Sequence, residues 1–395
     1  MQIGRYTADM QGLVDRDRLV RKTRRSLAAS PVTVLLGARQ VGKTTLARIV
    51  AAASRSVAVY DLERAAARRA LTDTPEGTLS EARGLVVIDE VQRLPHLFET
   101  LRPICDDPGR RARFLLLGSA SLDLVKGVSE ALAGRAFFVD VPGFTLEEAG
   151  MQNQSRLWLR GGLPRAYLAG TDDGAWEWIE NFARTYLERD IPQLGVRVPS
   201  ETLRRFWSML AHYHGQTWNG AELARSMSVT PHTAVHYRDI LAGTFMIRVL
   251  QPWFANVKKR QVKAPKVYVR DSGLLHWNLG IRSMSDLRTH PRYGASWEGF
   301  ALEQVLALTG GRDAYFWATQ GGAELDLLLF RRGKRWGFEF KCSDAPAMTK
   351  SMHAALNDLS LERLHVVYPG KTRYGLHRRA EAIPLSQIGD VCGGW

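Results

Sequence analysis

Residues 37–44, Gly37-Ala38-Arg39-Gln40-Val41-Gly42-Lys43-Thr44, fit the pattern G-x-x-x-x-G-K-[ST], whose chemistry is the cradling of a polyphosphate. The glycines at its ends let the backbone turn successive N–H groups inward, toward anionic oxygens. Lys43 is expected to reach the β- and γ-phosphates and the Thr44 hydroxyl to take a position on Mg²⁺. With Thr45, which begins the helix-forming run that follows, residues 37–45 form the expected binding loop. A second pair, Asp89-Glu90, closes the apolar run Leu85-Val86-Val87-Ile88. Asp89 is expected beside the Mg²⁺, and Glu90 to polarise an attacking water. Ser119, at the tip of a further run from Phe114 to Leu117, is either a sensor of the γ-phosphate or a hydroxyl that closes a turn. Read together, these groups point to hydrolysis of a nucleotide rather than binding alone.

Such residues need elements that hold them. The run Val32-Thr33-Val34-Leu35-Leu36 leads into the loop and Leu46 to Ala52 continues from it, so strand, turn and helix are predicted in that order. The helix starting near Gly42 adds the positive end of its dipole. An unbroken apolar run such as 85–88 suits a parallel strand covered on both faces, and ligands of such sheets gather at the carboxyl ends of the strands. The predicted fold class is therefore α/β, a phosphate-loop parallel sheet with helices on both faces, over residues 1–150.

A chain of 395 residues is too long for one core, and its 45% hydrophobic and 24% charged content is that of globular domains. No run approaches the length of a membrane span, and Met1 to Thr7 lacks the apolar core of a secretory signal, so no membrane partner is expected. Cys105, Cys342 and Cys392 form no C-x-x-C pair; neither disulfides nor zinc are expected, and a reducing cytoplasm fits. The net charge of +14 is uneven. Residues 1–150 hold 22 Lys and Arg against 18 Asp and Glu, residues 151–290 hold 19 against 11, and residues 291–395 hold 13 against 11. The middle third thus carries most of the excess, which directs a nucleic-acid reading there. All eleven tryptophans lie beyond position 150, which places a change of architecture near that residue. The expected division is 1–150, a helical connector 151–200, then 201–288 and 289–395.

In the middle third, Leu203, Phe206, Trp207, Leu210 and Ala211 fall at helical spacing within 201–214. Asn219 caps a short predicted helix over 220–227. Thr230 before Pro231 starts another, expected to bury Ala234, Ile240 and Leu241 and to leave His232, Thr233, His236, Tyr237 and Arg238 partly outward. Two strands, 245–253 and 266–270, follow. This is the plan of a winged helix-turn-helix, with the last helix as reader. From Phe245 to Arg270 there are seven basic residues and no acid, Lys258, Lys259, Arg260 and Lys263 lying in the loop between the strands. Such a hairpin can lie against the phosphates of DNA, or simply be solvated.

In the last third, Ser296 to Leu308 reads as an amphipathic helix carrying Glu298 and Glu303, followed by strand-like runs at 314–317, 323–330, 335–341 and 364–368. A helix, then strands with an acid on one and Glu-x-Lys on the next, resembles the PD-(D/E)XK nucleases, a restriction-endonuclease-like α/β fold. Period-2 alternation puts Glu339 and Lys341 on one face, opposite Asp326. Two carboxylates can hold a second Mg²⁺, the lysine can orient water, and Glu298 can complete the site. An acid–lysine alternation on a surface strand is the alternative.

With these segments in place, the whole chain resembles a family of prokaryotic AAA-like P-loop ATPases whose long C-terminal half is a domain of unknown function. The likeness rests on 36–45, Ile88-Asp89-Glu90-Val91-Gln92, Leu117-Gly118-Ser119-Ala120-Ser121, Leu132-Ala133-Gly134-Arg135, Tyr186-Leu187-Glu188-Arg189-Asp190, Arg270-Asp271-Ser272-Gly273-Leu274-Leu275 and Gly322-Ala323-Glu324-Leu325-Asp326. Ala38 stands where the pattern more often has Pro. The resemblance implies ATP with Mg²⁺ and hydrolysis through Lys43, Asp89 and Glu90. Arg135 resembles an arginine that completes the site of a neighbouring copy, which would require a homo-oligomer; a structural ion pair is the alternative. Two functions follow as expectations: an ATPase acting on DNA, or a nucleotide-controlled switch that binds a protein partner through an inactive nuclease fold.

Overall fold

The structure, a computed structural model, describes residues 14–119, 122–254, 261–311 and 313–395. It divides into two compact units, one of residues up to Gly143 with 243–245, the other of 144–242 with 246–395.

In the first unit, helix α1 (Asp17–Ala29) descends to strand β1 (Val32–Gly37), and helix α2 (Lys43–Ala52) rises from the loop that β1 feeds. Strands β2 (Val57–Asp61), β3 (Arg83–Asp89), β4 (Arg111–Ser119) and β5 (Ala136–Asp140) complete a sheet in the order β2-β3-β4-β1-β5, with every pairing parallel. Helix α3 (Leu97–Asp106) lies between β3 and β4 in the chain. Val32, Val34, Leu36, Ile88 and Phe114 face one core and Leu35, Val87, Leu115 and Leu117 the other, so alternate residues of the same strands are buried on both sides. This is why their sequences read as continuous apolar runs. Because the strands are parallel and in register, Gly37 lies beside Ser119, Asp61 beside Asp89, and Leu36 beside Asp140, and the carboxyl ends share one edge.

In the second unit, helix α4 (Ser200–His212) buries the five residues its spacing predicts. The short strand β6 (Gln216–Thr217), helices α5 (Gly220–Met227) and α6 (Pro231–Gly243), and the strands β7 (Ile247–Pro252) and β8 (Lys266–Val269) follow. The Asn219 side chain accepts from the Glu222 N–H, and the Thr230 hydroxyl from that of Thr233, so both predicted caps are formed. One expectation for α6 fails: Tyr237 points inward, only 8% exposed, with its ring edge-on to Phe206. Ala234, Ile240 and Leu241 are buried as expected, and His232 and His236 are exposed.

Helix α7 (Tyr293–Thr309) is buried around most of its circumference rather than along one stripe, so it is a core helix and not the amphipathic one predicted. Strands β9 (Tyr315–Ala318), β10 (Glu324–Arg331), β11 (Lys334–Phe340) and β12 (Arg363–Tyr368) lie where strand-like runs were read, and β13 (Tyr374–His377) and β14 (Ala380–Pro384) are additional. Pairing of β7 with β9 joins the β6–β8 group to these strands in one mixed sheet. Segments 201–288 and 289–395 therefore share a sheet.

Candidate functional site: a phosphate-binding loop and a lysine-filled carboxylate cluster

Loop 38–42 leaves β1 at the carboxyl edge. Its turn needs two left-handed residues, Gln40 (φ 58) and Gly42 (φ 96), the second directly before the first residue of α2. Gly37 serves a different need from the one its place in the pattern implies. A Cβ there would run into the carbonyl oxygen of Val141, just beyond β5. Lys43 is 8% exposed and donates to the carbonyls of Gly37 and Ala38, both at 2.9 Å. Burial pushes its ammonium down to about 8, against the opposing pull of Glu90 and Asp89. A buried ammonium hydrogen-bonded to loop carbonyls fits a polyphosphate, whose oxygens can take their place and add negative charge.

The Thr44 hydroxyl donates to Asp89 Oδ2 at 2.8 Å, across a distance of 45 residues in sequence. Asp89 Oδ1 accepts from the Glu90 N–H at 2.9 Å. Burial raises the Asp89 carboxyl, and the Thr44 hydrogen bond works against that rise. A hydroxyl and a carboxylate are the hard oxygen donors that suit Mg²⁺. Glu90 itself takes φ 57, a left-handed conformation costly for a side chain of its kind, and its carboxylate is held by the Gln92 amide. Strain of this sort marks the turn after β3 as a place where geometry is enforced.

Of the other expected residues, Ser119 ends β4 beside Gly37, and its side chain lies outside what the structure describes. Ala38, Arg39 and Val41 lie in the loop and Thr45 in the first turn of α2. Arg135 lies elsewhere. It precedes β5, its carbonyl accepts from Val32 N–H at the start of β1, and its guanidinium forms a two-point pair with Asp106 at 2.6 and 2.8 Å. It is thus at the opposite edge of the sheet from the loop of its own chain, about 17 Å of strand away at ~3.3 Å per residue.

Two residues that sequence reasoning passed over belong to the same site. Asp61 ends β2 in register with Asp89 and adds to the charge that lifts its carboxyl. The logic that picked out Asp89, an acid at the tip of a strand, would have found it. Arg16 is 5% exposed and donates to the carbonyls of Val41 (3.1 Å), Pro142 (2.9 Å) and Gly143 (3.2 Å), tying the loop to the end of β5. No local pattern in the sequence announces it.

In the second unit, Asp326 lies beside Glu339 and its partner Lys341, and a buried lysine links Asp326 to Glu298. Lys266 of β8, 4% exposed, reaches Glu298 (3.3 Å), Asp326 (3.6 Å) and Glu324. Tyr268 donates to Glu298 at 2.7 Å, and Lys341 pairs with Glu339 at 2.8 Å. Burial and then the neighbouring Asp326 raise the carboxyls of both Glu298 and Glu339. The Lys266 ammonium sits against Asp326 and Glu298, two of the carboxylates expected at a divalent ion, and among the described residues no group of three or more His, Cys, Asp or Glu is arranged to hold a metal. Lys266 and Glu324 were missed because a lone lysine before Val-Tyr-Val reads as one more basic residue of the hairpin.

That hairpin is also less available than its composition suggests. Arg248 and Arg270 both turn onto the half-buried Glu303, Arg248 Nη2 at 2.9 Å and Arg270 Nε at 3.4 Å. With Lys266 they account for three of the seven basic residues. Lys258, Lys259 and Arg260 lie outside the described residues, and Lys263 is exposed.

The chain matches the model of an AAA domain over residues 29–150, a domain of unknown function (DUF8612) over 151–285 and a domain of unknown function (DUF4143) over 293–388. It is 48% identical over 376 residues to uncharacterized proteins of Mycobacterium tuberculosis and Mycobacterium bovis, spanning 95% of this chain and 85% of each relative. Among solved structures it is similar to a Walker-type ATPase of Pyrococcus abyssi (TM-score 0.48, 16% identity, 68% of this chain and 96% of that one). A looser likeness is to a signal-transduction ATPase with a tetratricopeptide-repeat sensor from Pyrococcus horikoshii (TM-score 0.31, 11% identity, 79% of this chain and 48% of that one). The assignment of the fold rests on strand order and register rather than on these likenesses. No helix among the described residues is long and apolar enough to cross a membrane.

Proposed function

The chain belongs to the family of its mycobacterial relatives, P-loop ATPases in which an AAA domain is followed by a DUF4143 domain, and from that premise we propose that it hydrolyses ATP with Mg²⁺ at residues 37–45. The observation that carries the reading is the 2.8 Å bond between Thr44 and Asp89 beside a buried Lys43. Bound Mg²⁺ would neutralise charge on the β- and γ-phosphates. Thr44 and Asp89 would hold it, and Lys43 would leave its loop carbonyls to bind phosphate oxygen. Glu90, once free of Gln92, would orient and deprotonate water. Ser119 would contact the γ-phosphate, and Arg135 would act on the site of a second copy. The test is ATP turnover by the wild type and by Lys43→Ala: loss of turnover in the variant is expected, and equal turnover discards the reading.

For the second unit, helices α4 to α6 with β7 and β8 have the order of a winged helix, and exposed His232 and His236 on α6 favour contact with DNA. Stimulation of turnover by duplex DNA is then expected. The alternative, a nucleotide-controlled switch that binds a protein partner in the cytoplasm through an inactive nuclease-like fold, is favoured by the position of Lys266. On that reading turnover is indifferent to DNA, and Asp326→Ala leaves no nicking activity to lose.

A further inference from the structure

We propose that the amino-terminal edge of the ATPase sheet, built from Arg55, Arg83, Arg111 and Arg113, is a docking surface for the phosphate backbone of nucleic acid. The proposal deepens the DNA reading above and rests on it for the class of partner. Parallel strands that end together also begin together, so this edge is opposite the phosphate-binding loop. Arg83 and Arg111 open β3 and β4 and are register partners. Neighbours in register point to the same face, about 4.8 Å apart, and Arg113, two residues on, shares that face. Arg55 is brought alongside by Ser56, whose carbonyl accepts from Leu85 N–H at 2.9 Å and whose hydroxyl donates to the Arg83 carbonyl at 3.3 Å. Helix α1 comes down to the same edge with Arg24 and Arg25 exposed.

Like charges in a row cost energy unless something neutralises them. Among the described residues none of Arg55, Arg83, Arg111 and Arg113 is in an ion pair. Nearby Asp106 is committed to Arg135, and Asp107 accepts from Gly109 N–H at 2.7 Å. The carboxyl-terminal ends of α1 and α2 offset part of the repulsion, which makes the row tolerable without satisfying it. Guanidinium groups at strand spacing, exposed at Arg55, Arg83 and Arg111 and half-buried at Arg113, suit a chain of phosphates, which each can grip at two points. A phosphodiester backbone supplies that charge without demanding base contacts.

The experiment is a salt titration of the full chain binding a short labelled duplex. Arg83→Ala/Arg111→Ala/Arg113→Ala is expected to weaken binding at least tenfold. It should also flatten the slope of log affinity against log salt by about 3, at roughly 0.9 per lost phosphate contact. Its ATP turnover without nucleic acid should equal that of the wild type, which also certifies the fold. The proposal is overturned if this variant binds like the wild type, or if Lys258→Ala/Lys259→Ala/Arg260→Ala alone removes binding. It is also overturned if the wild type binds acidic lipid vesicles and not the duplex, or binds neither. The ATPase reading is separate, since it fails only if Lys43→Ala still turns over ATP.

Discussion

At the scale of the residue, burial decides what the charged groups can do. Burial pushes the Lys43 ammonium down to about 8. Below that pH it is protonated and complementary to phosphate; above it, the charge is lost. ATP affinity of the free protein is therefore expected to fall by up to tenfold per pH unit above about 8, measured by nucleotide titration at constant salt. Lys266 makes the opposite case. Desolvation is the largest single influence on it and lowers its pKa, but Glu298, Tyr268, Asp326 and Glu324 together outweigh that and keep it charged. Lys266→Met would leave those carboxylates uncompensated and is expected to cost about 3–5 kcal/mol in denaturant unfolding. Adding Mn²⁺ without nucleotide should raise the melting temperature of that variant and not of the wild type. The reverse result would mean that the cluster takes up metal with Lys266 in place.

At the scale of the element, the strand tips set the site. Gly37→Ala would push β1 away from Val141, so loss of nucleotide binding with the circular dichroism spectrum preserved is expected. In the second unit, Thr230→Ala removes the cap of α6 and should lower stability by about 1 kcal/mol. Elements were also where reading the sequence succeeded most: β1, the start of α2, β3 and α4 each carry an unbroken or periodic apolar pattern, and those patterns follow from backbone geometry alone. Helix α7 defeated the same reasoning. Its polar positions Ser296 and Gln304 bond inside the unit, to Trp158 and to the Leu146 N–H, so polarity did not mean exposure.

At the scale of the whole molecule, Arg135 cannot serve the loop of its own chain, since the two lie at opposite edges of one sheet. If it serves another copy, mixing Arg135→Ala with Lys43→Ala should restore turnover that neither has alone, and specific activity of the wild type should rise with concentration. Unchanged turnover in Arg135→Ala would leave the Asp106 pair as its sole role.

Taken alone, the sequence determined that a phosphate-binding loop joins a strand to a helix and that an acid ends another buried strand, because both depend on patterns a few residues long. Only the tertiary structure decided which distant groups meet. Asp61 joins Asp89 through strand register, Arg16 reaches the loop from the start of α1, and Lys266 meets Glu298, Asp326 and Glu324. It also turned Arg248 and Arg270 onto Glu303. A side chain's partner is fixed by packing across the fold, and nothing in its neighbours along the chain encodes whether its charge faces water or another charge.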